Sequence, residues 1–146
     1  MIAIDTNVLL RRLLDDDVIQ CAKVRRLFQK SEKILIPDVV LVETIWTLKG
    51  DRYAVPREVI SDIIHGLLAE PNIVFESEQA IWAALNEFKN AEPIKTKNGT
   101  RILDFPDALI INKAKYLIYQ WGEPYEGTYT FDQAAQHVNG AKNPSD

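Results

Sequence analysis

Short β-branched runs separated by stretches that repeat on the helical period constrain this chain most strongly. The alternation is that of an α/β domain with a mainly parallel sheet. Ile2 to Ile4, Ile34 to Ile36 and Ile73 to Phe75 read as strands bounded by polar residues, and Tyr129 to Phe131 is a weaker fourth. Between them, Val59, Ile60, Ile63, Ile64, Leu67 and Leu68 form an apolar helical stripe opened by Pro56, and Ile81, Ala84, Leu85 and Phe88 form another. Leu109, Ile110, Ala114, Leu117 and Ile118 mark a further helix, opened by Asp104 and Pro106. The polar stretches from Lys95 to Thr100 and from Gly122 to Thr128 read as loops. Residues 139–146 read as a frayed tail, leaving one domain over residues 1–138.

A chain of 146 residues suits one core, and at this length about 68–70% of the unfolded surface is buried, so neither disulfides nor a structural metal is needed. Cys21 is alone, and with only His65 and His137 beside it no zinc-binding pattern exists. The two histidines fall on separate helical patterns and read as structural or surface groups, while Trp46 and Trp82, at helical spacing among aliphatics, read as core. Seventeen basic residues against 21 acidic ones give a net charge of −4, which disfavours a broad grip on nucleic acid and leaves only a local contact or one shared with a partner. The opening Met-Ile-Ala-Ile-Asp-Thr lacks the cationic and apolar regions of a signal peptide. The strongest apolar runs, Val39 to Val42 and Ala108 to Ile111, fall far short of the roughly 20 residues a bilayer requires. The expectation is a cytoplasmic protein with no membrane contact.

Ligands of open parallel sheets collect beyond the carboxyl ends of the strands, and acids fall there: Asp5 after the first strand, Asp38 after the second, Asp132 after the fourth candidate. Glu43 lies about a turn into the helix after Asp38, apolar on both sides, where a solvated face is not obvious. Asp104 and Asp107 sit at a helix start. Asp5, Asp38 and the pair Asp104 and Asp107 have a plain alternative as helix caps. Jointly they point to a cation, because two carboxylates about 4 Å apart repel by roughly 4 kcal/mol at an effective dielectric near 20, and a domain is stable by only about 5–15 kcal/mol. Oxygen ligands without His or Cys select Mg²⁺ or Mn²⁺, and such an ion acidifies a water and clamps a phosphoryl oxygen, which is the chemistry of phosphodiester hydrolysis.

Four blocks carry a resemblance. Ile2-Ala3-Ile4-Asp5-Thr6-Asn7-Val8-Leu9, Ile36-Pro37-Asp38-Val39-Val40-Leu41-Val42-Glu43, Asp104-Phe105-Pro106-Asp107-Ala108-Leu109-Ile110 and Thr130-Phe131-Asp132 occur in the order found in PIN-domain ribonucleases. Within that family the chain resembles the VapC-like toxins of toxin–antitoxin pairs. The resemblance implies a three-layer α/β/α fold with a central, mainly parallel sheet of four to five strands. It implies that Asp5, Glu43, Asp107 and Asp132 hold one or two Mg²⁺ ions, with Mn²⁺ as a substitute, that Asp104 supports them, and that Thr6, Asn7 and Thr130 brace the acids. One departure is the stretch from Gln120 to Thr128, longer than is usual before the last block.

The expected activity is therefore Mg²⁺-dependent endoribonuclease cleavage of RNA, with Lys95, Lys97 and Arg101 as candidate contacts to the RNA backbone and Arg11 and Arg12 as a possible extension of that track. The resemblance further implies a VapB-like antitoxin partner and a homodimer. A non-catalytic PIN-like scaffold or RNA-binding module is the alternative. A haloacid dehalogenase-type phosphatase needs an Asp where Asn7 stands, and neither a Walker phosphate loop nor a Gly-x-Ser-x-Gly elbow occurs.

Overall fold

The computed structural model describes residues 1–145. Two compact units divide the chain between Glu78 and Gln79. The first holds β1 (Ile2–Ala3), α1 (Thr6–Leu13), α2 (Val18–Lys30), β2 (Ile34–Ile36), α3 (Asp38–Lys49), α4 (Arg57–Ala69) and β3 (Ile73–Phe75). The second holds α5 (Glu78–Asn90, its first residue preceding the division), β4 (Ile94–Thr96), β5 (Gly99–Arg101), α6 (Phe105–Gln120), β6 (Thr128–Tyr129), a 3₁₀ turn (Ala135–His137) and β7 (Ala141–Lys142).

In the first unit the three strands form one parallel sheet in the order β1-β2-β3, with Ile2, Ile34 and Ile73 level with one another. The fold is thus α/β with a parallel sheet, narrower than the expected four to five strands. Ile34 and Ile36 of the central strand are fully buried, as alternate residues on one face of a sheet covered by helices should be. Helix α3 reads apolar all round, yet the helical period resolves it. Leu41, Thr44, Ile45 and Leu48 recur at i, i+3, i+4 and i+7 and are fully buried. Val39, Glu43 and Trp46 lie off that stripe, and Val39 and Trp46 are 70% and 57% exposed. Trp46 is therefore not core as expected. Trp82, one position off the buried stripe Ile81, Ala84, Leu85 and Phe88 of α5, is 42% exposed as well.

The second unit departs further from the sequence reading. The stretch from Lys95 to Thr100 is not a loop but most of an antiparallel hairpin, β4 pairing β5 with Lys95 opposite Thr100. Its turn at Lys97 and Asn98 closes onto Gly99 at φ +103°, a conformation that only glycine adopts without strain, and Thr96 Oγ1 donates to the Gly99 carbonyl at 2.7 Å. The weaker fourth candidate of the sequence is β6, Thr128–Tyr129, and it pairs with β7, a strand inside the stretch expected to fray. Thr128 N donates to Gly140 O and Thr130 N to Lys142 O, each at 2.9 Å, so residues 140–142 satisfy this segment's backbone donors. Gly140, at φ +94°, lets Tyr125 come close enough to bond its carbonyl, and a Cβ there would lie 2.7 Å from the ring. Asp146, the last residue of that tail, lies outside the described residues. No helix among the described residues is long and apolar enough to cross a membrane.

Between α5 and α6, Asn112 donates to Glu87 at 2.7 Å. Burial pushes the Glu87 carboxyl above its ordinary value of 4.5, against the opposing pull of the Asn112 hydrogen bond and the Lys115 charge. The folded chain therefore holds this proton more tightly than the unfolded one. Stability falls as pH climbs from 4.5 through the raised folded value and stays lower above it. Glu87→Gln keeps an acceptor for Asn112 and removes the titration. Thermal melts should show a higher Tm than the parent at about pH 7 and no difference at about pH 3.5; a lower Tm at neutral pH would contradict the dominance of burial.

Candidate active site

The first unit carries carboxylates at the carboxyl ends of all three parallel strands. Asp5 follows β1 by two residues, Asp38 follows β2 after Pro37, and Glu76 directly follows β3. Asp5 is exposed and caps α1, its Oδ1 accepting from Val8 N at 2.9 Å. Thr6 and Asn7 are the first two residues of that helix, the former half-buried and the latter exposed. Asp38 is the first residue of α3 rather than its cap. The cap position belongs to Pro37, which has no side-chain donor or acceptor, and the Asp38 N–H donates instead to the Glu76 carboxylate. A helix start left without its own cap is completed by an acid from the neighbouring strand. Glu76 escaped the sequence reading, although its signal was plain: an acid immediately after a recognised strand.

Glu43 projects from the exposed face of α3, so the buried setting suggested by its apolar neighbours does not occur. The fully buried Thr44 hydroxyl beside it has no hydrogen-bond partner among the described residues. Arg11 and Arg12 are engaged within the unit. Arg11 grips both oxygens of Asp16 at 2.7 Å, and Arg12 pairs with Glu70 at 2.9 Å while its guanidinium lies 5.2 Å from the Phe28 ring centre.

In the second unit Asp104 is the cap of α6, its Oδ1 accepting from Phe105 N at 2.8 Å, and Pro106 follows where its missing N–H costs nothing. Asp107 is half-buried in the first turn of the same helix, between buried Pro106 and Ala108. Asp132 is exposed and braced on both sides: its N–H donates to Thr130 Oγ1 at 3.0 Å, and its Oδ1 accepts from Ala135 N at 2.8 Å. Gln136 Nε2 donates to the Thr130 carbonyl at 2.9 Å, which fixes the segment further. Lys95, Lys97 and Arg101 are all exposed on the hairpin.

Asp5 and Asp104 thus each occupy the capping role that was their plain alternative, and in Asp5, Asp104 and Asp132 alike a bond from a backbone N–H uses one carboxylate oxygen. Asp5 and Asp104 also stand at the N-terminal ends of their helices. The donor set contains only oxygen, which suits a hard divalent cation such as Mg²⁺ or Mn²⁺. Among the described residues no three His, Cys, Asp or Glu side chains are gathered closely enough to hold an ion.

The profile of the PIN domain family matches residues 2–117, well over half of the sequence. The chain belongs to the PIN domain family, whose members are typically metal-dependent nucleases acting on nucleic acid. The match takes in the blocks of Asp5, Glu43 and Asp104 with Asp107, and ends before Thr130-Phe131-Asp132. No curated protein matches the chain.

Proposed function

We propose that the protein is a Mg²⁺-dependent endoribonuclease and that it serves as the toxin of a toxin–antitoxin pair. The observation that carries this reading is the PIN match over residues 2–117, within which Asp5, Glu43 and Asp107 all fall. Asp5, Glu43, Asp107 and Asp132 are the proposed ligands of one or two Mg²⁺ ions, replaceable by Mn²⁺, with Asp104 supporting them. Their all-oxygen chemistry favours this assignment. A bound divalent cation supplies positive charge against a phosphate oxygen and lowers the pKa of a water.

The chain's own contribution is to hold carboxylates ready. Asp5, Asp104 and Asp132 are each fixed by a backbone N–H, which limits the side-chain entropy lost on binding. Thr6 and Asn7 stand beside Asp5 at the start of α1, and Thr130 braces Asp132. Lys95, Lys97 and Arg101 are the proposed backbone contacts to RNA, a local cationic stretch on an otherwise acidic protein. A VapB-like antitoxin, a homodimer and a cytoplasmic setting complete the proposal.

Incubating the chain with RNA and Mg²⁺ and mapping the cut ends tests it. Hydrolysis by water leaves 5′-phosphate and 3′-hydroxyl ends, whereas attack by the neighbouring 2′-hydroxyl leaves cyclic phosphates. The former is expected, abolished by EDTA and restored by Mn²⁺. Cyclic ends, or cleavage that persists in EDTA, would overturn the mechanism.

A further inference from the structure

Beside the cationic hairpin the second unit opens a cleft of about 700 Å³, walled by Lys95 of β4 and by Phe131, Gln133, Gln136, His137 and Asn143. Among the described residues its lining contains no carboxylate, although the chain as a whole is acidic. Phe131 is 76% exposed. Leaving such a ring in water forgoes the gain of burying it, so its position invites a partner.

The backbone beneath the ring is also held in place. The residues on either side of it are tied by Thr130 N to Lys142 O, by Asp132 N to Thr130 Oγ1 and by Gln136 Nε2 to the Thr130 carbonyl, so the platform stands on a hydrogen-bonded segment. Two of the surrounding amides are fixed as well, Gln136 by that bond and Asn143 by accepting from Ser145 N at 2.9 Å. On the hairpin side, residues 93–103 contain Lys95, Lys97 and Arg101 and no acid.

An exposed aromatic face on a hydrogen-bonded segment, amides and an imidazole around it, and cations at the rim match a nucleobase and its phosphate. Single-stranded RNA is recognised by stacking splayed bases on aromatic side chains and reading their edges with polar groups. An amphipathic peptide helix needs several apolar anchors, and among the described residues the cleft offers only Ile94 besides Phe131. We propose that this cleft receives one splayed base of single-stranded RNA, stacked on Phe131, with its edge met by Gln133, Gln136, His137 and Asn143 and the adjoining phosphate held by Lys95. The proposal deepens the ribonuclease reading and rests on it. It makes Phe131, next in sequence to Asp132, a determinant of which nucleotide is bound.

The test is anisotropy of labelled single-stranded RNA homopolymers, in EDTA so that no cleavage intervenes, with cleavage in Mg²⁺ measured in parallel. Phe131→Ala should weaken binding roughly 5- to 150-fold, the loss of one stacked base, with its melting temperature unchanged because the ring is exposed. Phe131→Trp should restore affinity. Lys95→Ala should flatten the dependence of log Kd on log salt by about 0.7, one phosphate contact on a single strand. Wild-type cleavage with equal RNA affinity in the Phe131→Ala variant overturns the cleft assignment and leaves the nuclease reading intact. Phe131-dependent binding by a wild-type chain that never cleaves supports the cleft and contradicts the nuclease. Tighter binding of single-stranded DNA than of RNA overturns the choice of ligand.

Discussion

Asp5→Asn and Asp107→Asn, each made singly, should lower RNA hydrolysis by at least about 100-fold, beyond the 10- to 100-fold usually lost when only a partner around a metal site is removed. The substitutions suit this purpose. Asparagine caps a helix about as well as aspartate, so Asn at position 5 can still accept from Val8 N and keep α1 in place. At position 107 the change removes one charge from the first turn of α6, a loss of about 0.3–1 kcal/mol from the helix dipole. Neither should unfold the protein, so lost turnover would report on the acids themselves. A variant that keeps full turnover, with its melting temperature unchanged, would remove that acid from the mechanism.

The largest effect on stability should come from Leu41→Ala. Leu41 is fully buried on α3, and truncating such a residue costs about 2–5 kcal/mol through lost burial and the cavity left behind. In a chain of this size that corresponds to roughly 4–20 °C in Tm. Leu41 also belongs to the stripe that fixes which face of α3 turns outward, and Glu43 is carried on that outward face. Calorimetric melting measures the first effect. A shift below about 2 °C would mean that α3 is not anchored through this stripe.

The sequence was most legible where a single physical rule decided the outcome. Alternating apolar runs located β1, β2 and β3, and the acids that follow strands and open helices could be named because capping and strand ends impose the same residue type. Asp5 illustrates the difficulty: a helix cap and a metal ligand both call for an accessible carboxylate, so sequence pattern alone cannot separate the two roles. The exposure of Glu43 and Trp46 is not legible because α3 reads apolar all round, and its outward face emerges only once Leu41, Thr44, Ile45 and Leu48 are seen to be the buried stripe. The hairpin β4–β5 was hidden by its polar composition. Its strands, of three residues each, are largely exposed, so no alternation of apolar residues marked them. The strand β7 was hidden by position, since two residues near a terminus form a strand only because β6 supplies a partner. Glu76 was legible and overlooked.

Calorimetric titration of Mn²⁺ into the wild-type chain, Asp5→Asn and Asp107→Asn tests the proposed metal-binding role of these acids most directly. The account predicts a saturable wild-type site lost in either variant, and a wild-type chain stabilised by about 2.7 kcal/mol at 100 times the dissociation constant. Mn²⁺ binding that survives unchanged in both variants would contradict it.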